Sequence, residues 1–512
     1  MPLSRVSKAA SPGLDEAHKL MDHYFRFAMP TFRFFHRQSL ERWMADYVHR
    51  QPLPAAKAAS VLIVWAQALI SYPDDSIGDL QASQRGASYF EQARTLLNSE
   101  LGPMTLACVE ARLAMCLYLL CVSRIVECRF LFSFTHALAI SMGLHRKASR
   151  RLKLAAFQQE RRKRVFWSLY IVDSYLSVML GQPRHLRDDD LDQEYPVNID
   201  DLVLDAATDL SQVPHHGNIE AFIYHARLAR LFTRSTDVLY PIHDISSEDI
   251  VQRGESIVAA LDGLEQELPT FLKPRLTAAI GVQTWDRQNS VLSLGFAHAR
   301  IIATRRSLLV DTFKISSDTE MHQRHESCMR DCLDAIINVL DHVFSMLQHG
   351  RLLSTFWLTQ YIALCAISTL FVYQIQQNQG KVPVLAQSRD LTQYLSKAQE
   401  IQEHLAKIVP QGSQAQRHHY LLSKLRQRAS RSASSSVTPV EGRAQQSSRV
   451  QEEEERYPPS PQPQTQPPVD MPGGNDFTAV NMFDHDIPDA ASWLYLDQLG
   501  MQPDFHATWP RY

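Results

Sequence analysis

Apolar residues recur at steps of three and four through most of the first 430 positions, with no sustained strand-type alternation, so the chain is expected to be all-α. The clearest stretch is residues 160–201. Val165, Leu169, Val172, Leu176 and Met179 mark one apolar helical face. Gly181 suits the left-handed turn that ends a helix, and Pro183 cannot continue one. An acidic loop follows, closed by Pro196, Asp200 and Asp201. Upstream, a helix is predicted from Asp15 to Phe27, broken at Met29-Pro30, with Ser39 as N-cap of the next before Leu40, Trp43 and Tyr47. Further helices are expected over 61–72, 77–97, 101–122 and 129–142, the last ending at Gly143. Others follow over 219–240, 247–268, 284–309, 322–349, around Trp357, 390–408 and 413–427.

Composition divides the chain. Residues 1–13 read as a flexible lead and 14–428 as one large helical body. Residues 429–475, rich in Ser, Gln, Pro and Glu, lack the apolar content to offset chain entropy and are expected to be disordered. The net charge of −3 conceals a tail from 429 onward with 12 Asp/Glu against 5 Lys/Arg. Within 476–512, Phe477, Phe483, Trp493, Leu494, Tyr495 and Leu496 alternate with aspartates. This is the pattern of an amphipathic activation segment that orders in a partner's groove. A terminal helix docked on its own domain is the plainer alternative.

Candidate chemistry adds little. The seven cysteines (108, 116, 121, 128, 328, 332 and 365) contain no Cys-x-x-Cys and sit in apolar helical surroundings, as reduced core thiols do. The uncharged run 352–380 is long enough to span a bilayer. It carries Thr359, Gln360, Ser368 and Thr369, and no basic cluster marks one end, so a helix buried in a bundle is expected, with no membrane. Asp188, Asp189 and Asp192 have the Asp-Asp-x-x-Asp spacing that holds magnesium in isoprenoid synthases. They follow a helix stop and lack a second ligand set, so a solvated acidic loop is expected. His325, Cys328 and Cys332 share a helical face that zinc could use, although a satisfied histidine and core thiols are the commoner outcome. Arg161, Arg162, Lys163 and Arg164 form a candidate nuclear import signal. No nucleophile elbow, Walker loop or dinucleotide fingerprint is present.

Three stretches carry a resemblance. The first runs Arg161-Arg162-Lys163-Arg164, Phe166-Trp167, Tyr170, Asp173, Ser177, Gly181, Pro183 and Tyr195-Pro196. The second is Met142-Gly143-Leu144-His145-Arg146. The third is Tyr24-Phe25 through Pro30 to His36-Arg37-x-Ser39-Leu40, where Gln38 and Leu40 replace the usual proline and phenylalanine. Together they resemble the middle regulatory region of the fungal zinc-cluster transcription factors. The resemblance implies a nuclear regulator of RNA polymerase II genes, such as those of a metabolite gene cluster, that is not an enzyme and recruits coactivator. It assigns a structural role to Arg162, Phe166, Trp167, Tyr170, Asp173, Gly181, Pro183 and residues 143–146.

The family's DNA reader is a six-cysteine, two-zinc cluster opening with Cys-x-x-Cys. Here the first cysteine is Cys108, inside the helical region, so zinc ligands of that kind are not expected in this chain. DNA contact is then expected through a partner or a missing upstream cluster, in a homo- or heterodimer. The alternatives are a non-DNA-binding modulator that pairs with a full-length relative and, remotely, an all-α magnesium-dependent synthase.

Overall fold

A computed structural model describes residues 11–71, 79–100, 104–147, 154–206, 217–273, 283–310, 319–383, 385, 391–408 and 414–435. Among them are fifteen α-helices and no strand. In chain order these are α1 (Leu14–His23), α2 (Arg37–Val48), α3 (Ala55–Ile70), α4 (Asp79–Asn98), α5 (Leu106–Cys121), α6 (Ile125–Ser141), α7 (Ala156–Leu180) and α8 (Asp201–Ala206). Then come α9 (Glu220–Leu239), α10 (Ser247–Gln266), α11 (Gln283–Thr304), α12 (Thr319–Gln348), α13 (Trp357–Asn378), α14 (Leu391–Ile408) and α15 (Gln414–Ser435).

One continuous core runs from Ala17 to Ala429. In the first half α3 packs against α1, α2, α4 and α5, and α5 carries α6. In the second half α11 is central, touching α9, α10, α12 and α13, while α13 also meets α14 and α15. Helix α7, which contacts α5, α6 and α9, joins the halves. The uncharged helix α13 is the one described helix long and apolar enough to cross a membrane. Its neighbours bury 83% of that stretch, as a bundle's inner helix requires.

Local departures from the sequence pattern have physical causes. The first helix loosens at His23 into a π-helical turn, Tyr24–Ala28, whose Tyr24 and Phe25 point into the core. The N-cap of α2 is His36, not Ser39. The His36 backbone is extended, and Nδ1 accepts the Ser39 N–H (3.3 Å) while Nε2 donates to the Asp201 carbonyl (3.2 Å). Ser39 is instead a buried residue of the first turn. The last turn of the 284–309 helix tightens to a 3₁₀ segment, Arg305–Leu309. Helix α15 continues to Ser435, past the expected boundary at 428, with Leu425 and Ala429 both buried against the core.

Candidate functional site: a polar clasp on α7

Helix α7 is enclosed on nearly every side from Arg164 to Leu180, so its polar residues do not form the solvent face that a single apolar stripe implies. They hold the chain that returns along it. Gly181 (φ +61°) ends the helix in the left-handed region, and residues 183–201 then run back toward its start.

Asp173 makes the first contact. Its Oδ2 accepts the backbone N–H groups of His185 (2.9 Å) and Leu186 (3.0 Å), and Oδ1 faces His185 Nδ1 (2.9 Å) and Arg129 (3.4 Å). Arg129 also donates to the Pro183 carbonyl (2.8 Å). One turn back, the Tyr170 hydroxyl donates to Asp188 (2.6 Å) and lies 2.9 Å from the Thr233 hydroxyl of α9. The Trp167 indole N–H donates to the Glu194 carbonyl (2.8 Å), and its ring stacks on Tyr195 at 4.3 Å. Phe166 packs edge-on against Trp167 in the core. Next, Glu160 accepts the Val197 N–H (2.8 Å), and Arg164 donates to the Ile199 carbonyl (3.0 Å) and pairs with Asp201. Positions 160, 164, 167, 170 and 173 are three or four apart, so they share one helical face, and a single antiparallel segment reaches them all.

The other two motif stretches grip the same segment. Gly143 (φ +67°) turns the chain after α6, and Arg162 donates to the carbonyls of Met142 (2.9 Å) and Gly143 (3.1 Å). The Gln193 amide then donates to the carbonyls of Leu144 (2.8 Å) and Arg146 (3.0 Å), and the Asp192 N–H to that of His145 (3.2 Å). Leu144 is buried, while the Arg146 guanidinium is exposed, 3.9 Å from Asp192. From the N-terminal motif, the Arg37 backbone N–H donates to Asp201 (3.0 Å).

Burial alone would raise the Asp201 pKa. The Arg164 guanidinium and the Arg37 N–H outweigh it and hold the carboxyl below its usual range. At Glu110, buried on α5, desolvation outweighs the bidentate Arg161 contact (2.6 and 2.7 Å to Nη2), and the pKa rises.

Two stretches gain partners that the sequence did not show. The basic run 161–164, the candidate import signal, is engaged within the fold. Arg161 is paired with Glu110, Arg162 with two carbonyls, Lys163 with Glu160 (2.8 Å) and Glu194 (3.3 Å), and Arg164 is 1% exposed against Asp201. Cations at a helix start oppose the macrodipole, and here carboxylates from α5, α8 and the returning segment compensate them. The acidic loop is also not merely solvated. Asp188 is shared by Tyr170, Arg184 (3.8 Å) and Arg230 (3.5 Å), and Asp192 accepts the Lys147 N–H (2.8 Å). The carboxylates of Asp188 and Asp192 thereby meet the protein's own donors, while Asp189 and Asp190 are exposed.

His325 donates through Nε2 to the Ser307 carbonyl (2.8 Å), and burial pushes the Cys328 and Cys332 thiols up to about 12, so they remain protonated core groups. The activation residues Phe477, Phe483, Trp493, Leu494, Tyr495 and Leu496 lie outside the described residues. Sequence reasoning missed Glu110, Arg129, His185 and Thr233. Of these, Glu110 alone leaves a signal, as a lone acid in an apolar helix.

Burial depresses several histidines: His36, His136, His145, His325, His342 and, most, His225, which falls to about 4 beside the Tyr175 hydroxyl (3.1 Å). Below pH 6.5 the unfolded chain therefore binds more protons than the folded one, and stability falls with pH. His225 alone accounts for a loss of about 2 kcal/mol at pH 5, and Asp201 adds a loss only as pH falls through about 4. Thermal unfolding is expected at a lower temperature at pH 5.0 than at pH 7.5. Coincident transitions would contradict this.

An all-helical body, ordered around α7 and three convergent motifs, defines the class. Residues 21–268 match the fungal specific transcription factor domain. The chain is similar to "Activator of stress genes 1" of Saccharomyces cerevisiae, at 22% identity over 83% of this chain and 44% of that protein. It is also similar to "Activator of stress genes protein 1" of Candida albicans, at 25% identity over 71% of this chain and 40% of that protein. "Transcriptional activator protein acu-15" of Neurospora crassa matches at 27% identity over 33% of this chain and 18% of that protein. These relatives are regulators of transcription, not enzymes. The chain spans about half or less of their length. No solved structure matches it.

Proposed function

We propose that the chain is a nuclear regulator of RNA polymerase II transcription. In this reading the helical body governs, and residues 476–512 deliver, contact with the transcription machinery. The observation that carries the reading is the family domain over residues 21–268, whose three motifs meet on one segment of the fold. The clasp is a polar frame in which carboxylates of α7 hold backbone N–H groups of the returning segment, which suits a gating scaffold. The acidic, aromatic composition of 476–505 suits a coactivator groove. DNA is reached through a zinc cluster outside this chain or a partner that carries one, in a homo- or heterodimer. Control of a metabolite gene cluster is a finer reading that rests on the habits of the family.

The test is a reporter driven by residues 429–512 fused to an unrelated DNA-binding domain. Activation at least about tenfold above the DNA-binding domain alone is expected, with loss when Trp493 and Leu496 are both changed to alanine. A signal at background would remove the activation reading.

A further inference from the structure

The basic run 161–164 is taken up by the fold, so its four cations serve the clasp. Another concentration of positive charge lies at the far end of the helical body. Between Glu403 and Glu441 the chain has no acidic residue and six Lys or Arg. Five of these, Arg417, Lys424, Arg426, Arg428 and Arg431, belong to α15, the last helix described. A helix of 22 residues without an acid cannot neutralise itself through pairs one turn apart.

Register fixes where that charge goes. At about 100° per residue, positions 417, 424, 428 and 431 fall within about 40° of one line along the helix. Leu422, Leu425 and Ala429 are buried on another side, where α15 meets α13 and α14. Lys424 and Arg428 are exposed, and Lys424 lies over the ring of the exposed Tyr420 (5.5 Å). Arg426 stands off the stripe and reaches Glu403 of α14 (3.4 Å). The body's hold on the chain ends here as well. The Ala429 carbonyl accepts the Asn378 amide (3.2 Å), and Ala429 is the last buried residue described. Helix ends fray most readily, so cations at the exit of α15 can be offered on extended chain.

Four cations in the eight residues 424–431, with no acid among them, are the charge density that nuclear import receptors read and that nucleic-acid phosphates attract. The neighbouring helix favours the receptor. Glu400 and Glu403 of α14 are exposed, and Glu403 borders α15 through Arg426. A DNA duplex presents one charge every ~1.7 Å over a broad front and would meet such carboxylates too. A receptor groove admits a single segment of chain.

We propose that residues 424–431 are a nuclear import signal, with Lys424, Arg428 and Arg431 binding the acidic peptide groove of an import receptor at the exit of α15. The inference rests on the nuclear reading above and names the surface that brings it about.

In the experiment the full chain is fused to green fluorescent protein and followed in yeast cells. Three forms are compared: the wild type, Lys424→Gln/Arg428→Gln/Arg431→Gln, and the charge-keeping Lys424→Arg/Arg428→Lys/Arg431→Lys. The wild type is expected to concentrate in the nucleus, the glutamine variant to lose that accumulation and the charge-keeping variant to retain it. The purified full-length chains are also titrated with importin α and, separately, with a random DNA duplex at about 150 mM salt. The glutamine changes are expected to weaken importin α binding at least about tenfold. They should leave the unfolding temperature within about 2 °C of the wild type, since Lys424 and Arg428 lie on the surface. A glutamine variant that stays nuclear, a charge-keeping variant that leaves the nucleus, or a wild type that binds the duplex but not importin α would overturn the inference and leave the nuclear reading standing. A wild type excluded from the nucleus would remove that reading, and the inference with it.

Discussion

Replacing Asp173 by alanine is expected to destabilise the domain by about 3–5 kcal/mol and to free the segment behind α7. The side chain is 1% exposed and receives two backbone N–H groups, the His185 ring and Arg129. Alanine leaves the His185 and Leu186 backbone N–H groups without their acceptor, and an unmade bond of this kind costs about 1–3 kcal/mol. Asparagine keeps the shape but presents an amide N–H₂ to donors, so it is expected to recover only part of the loss. Urea unfolding gives the magnitude. Trypsin cleavage at Arg187, an exposed residue of the segment, should accelerate in the alanine variant well before global unfolding. A loss below about 1 kcal/mol would mean that the carboxylate is not what holds the turn.

Trp167→Ala is expected to cost about 3–5 kcal/mol, because it opens a large cavity and removes the platform under Tyr195. Phenylalanine at the same position fills much of the space and loses chiefly the indole bond to the Glu194 carbonyl. About 1 kcal/mol is expected there. The contrast between the two variants separates packing from polar anchoring. Asp173 and Trp167 hold the same segment, so the double alanine variant should fall short of the sum of the singles. Strict additivity would indicate that the segment is not one unit.

Much of this was legible in the sequence, and the reasons are specific. Helix positions followed from three- and four-residue spacing because tertiary burial and local pattern agree along α9, α10, α12 and α14. The stop at Gly181 and the turn at Gly143 followed from the left-handed conformation that glycine tolerates, and both adopt it. Uncharged α13 was readable as an inner helix because bilayer-spanning segments carry flanking signals it lacks.

The clasp was not legible as a clasp. A run of four cations looks the same whether it faces water or the carboxylates of Glu110, Glu160 and Asp201, up to 51 positions away. The aspartates of the returning segment gave the same ambiguity. The His36 cap was hidden because imidazole is an uncommon cap, and here Asp201, 165 positions on, orients it.

Native-state hydrogen exchange at residues 183–201 tests the clasp most directly. The amides of His185, Leu186 and Val197 donate to carboxylates of α7, so they should exchange as slowly as the core of that helix. In Asp173→Ala, His185 and Leu186 should become fast first, with Val197 still protected by Glu160. If these three amides exchange in the wild-type protein at the rates of an open surface loop, the segment is not held by α7.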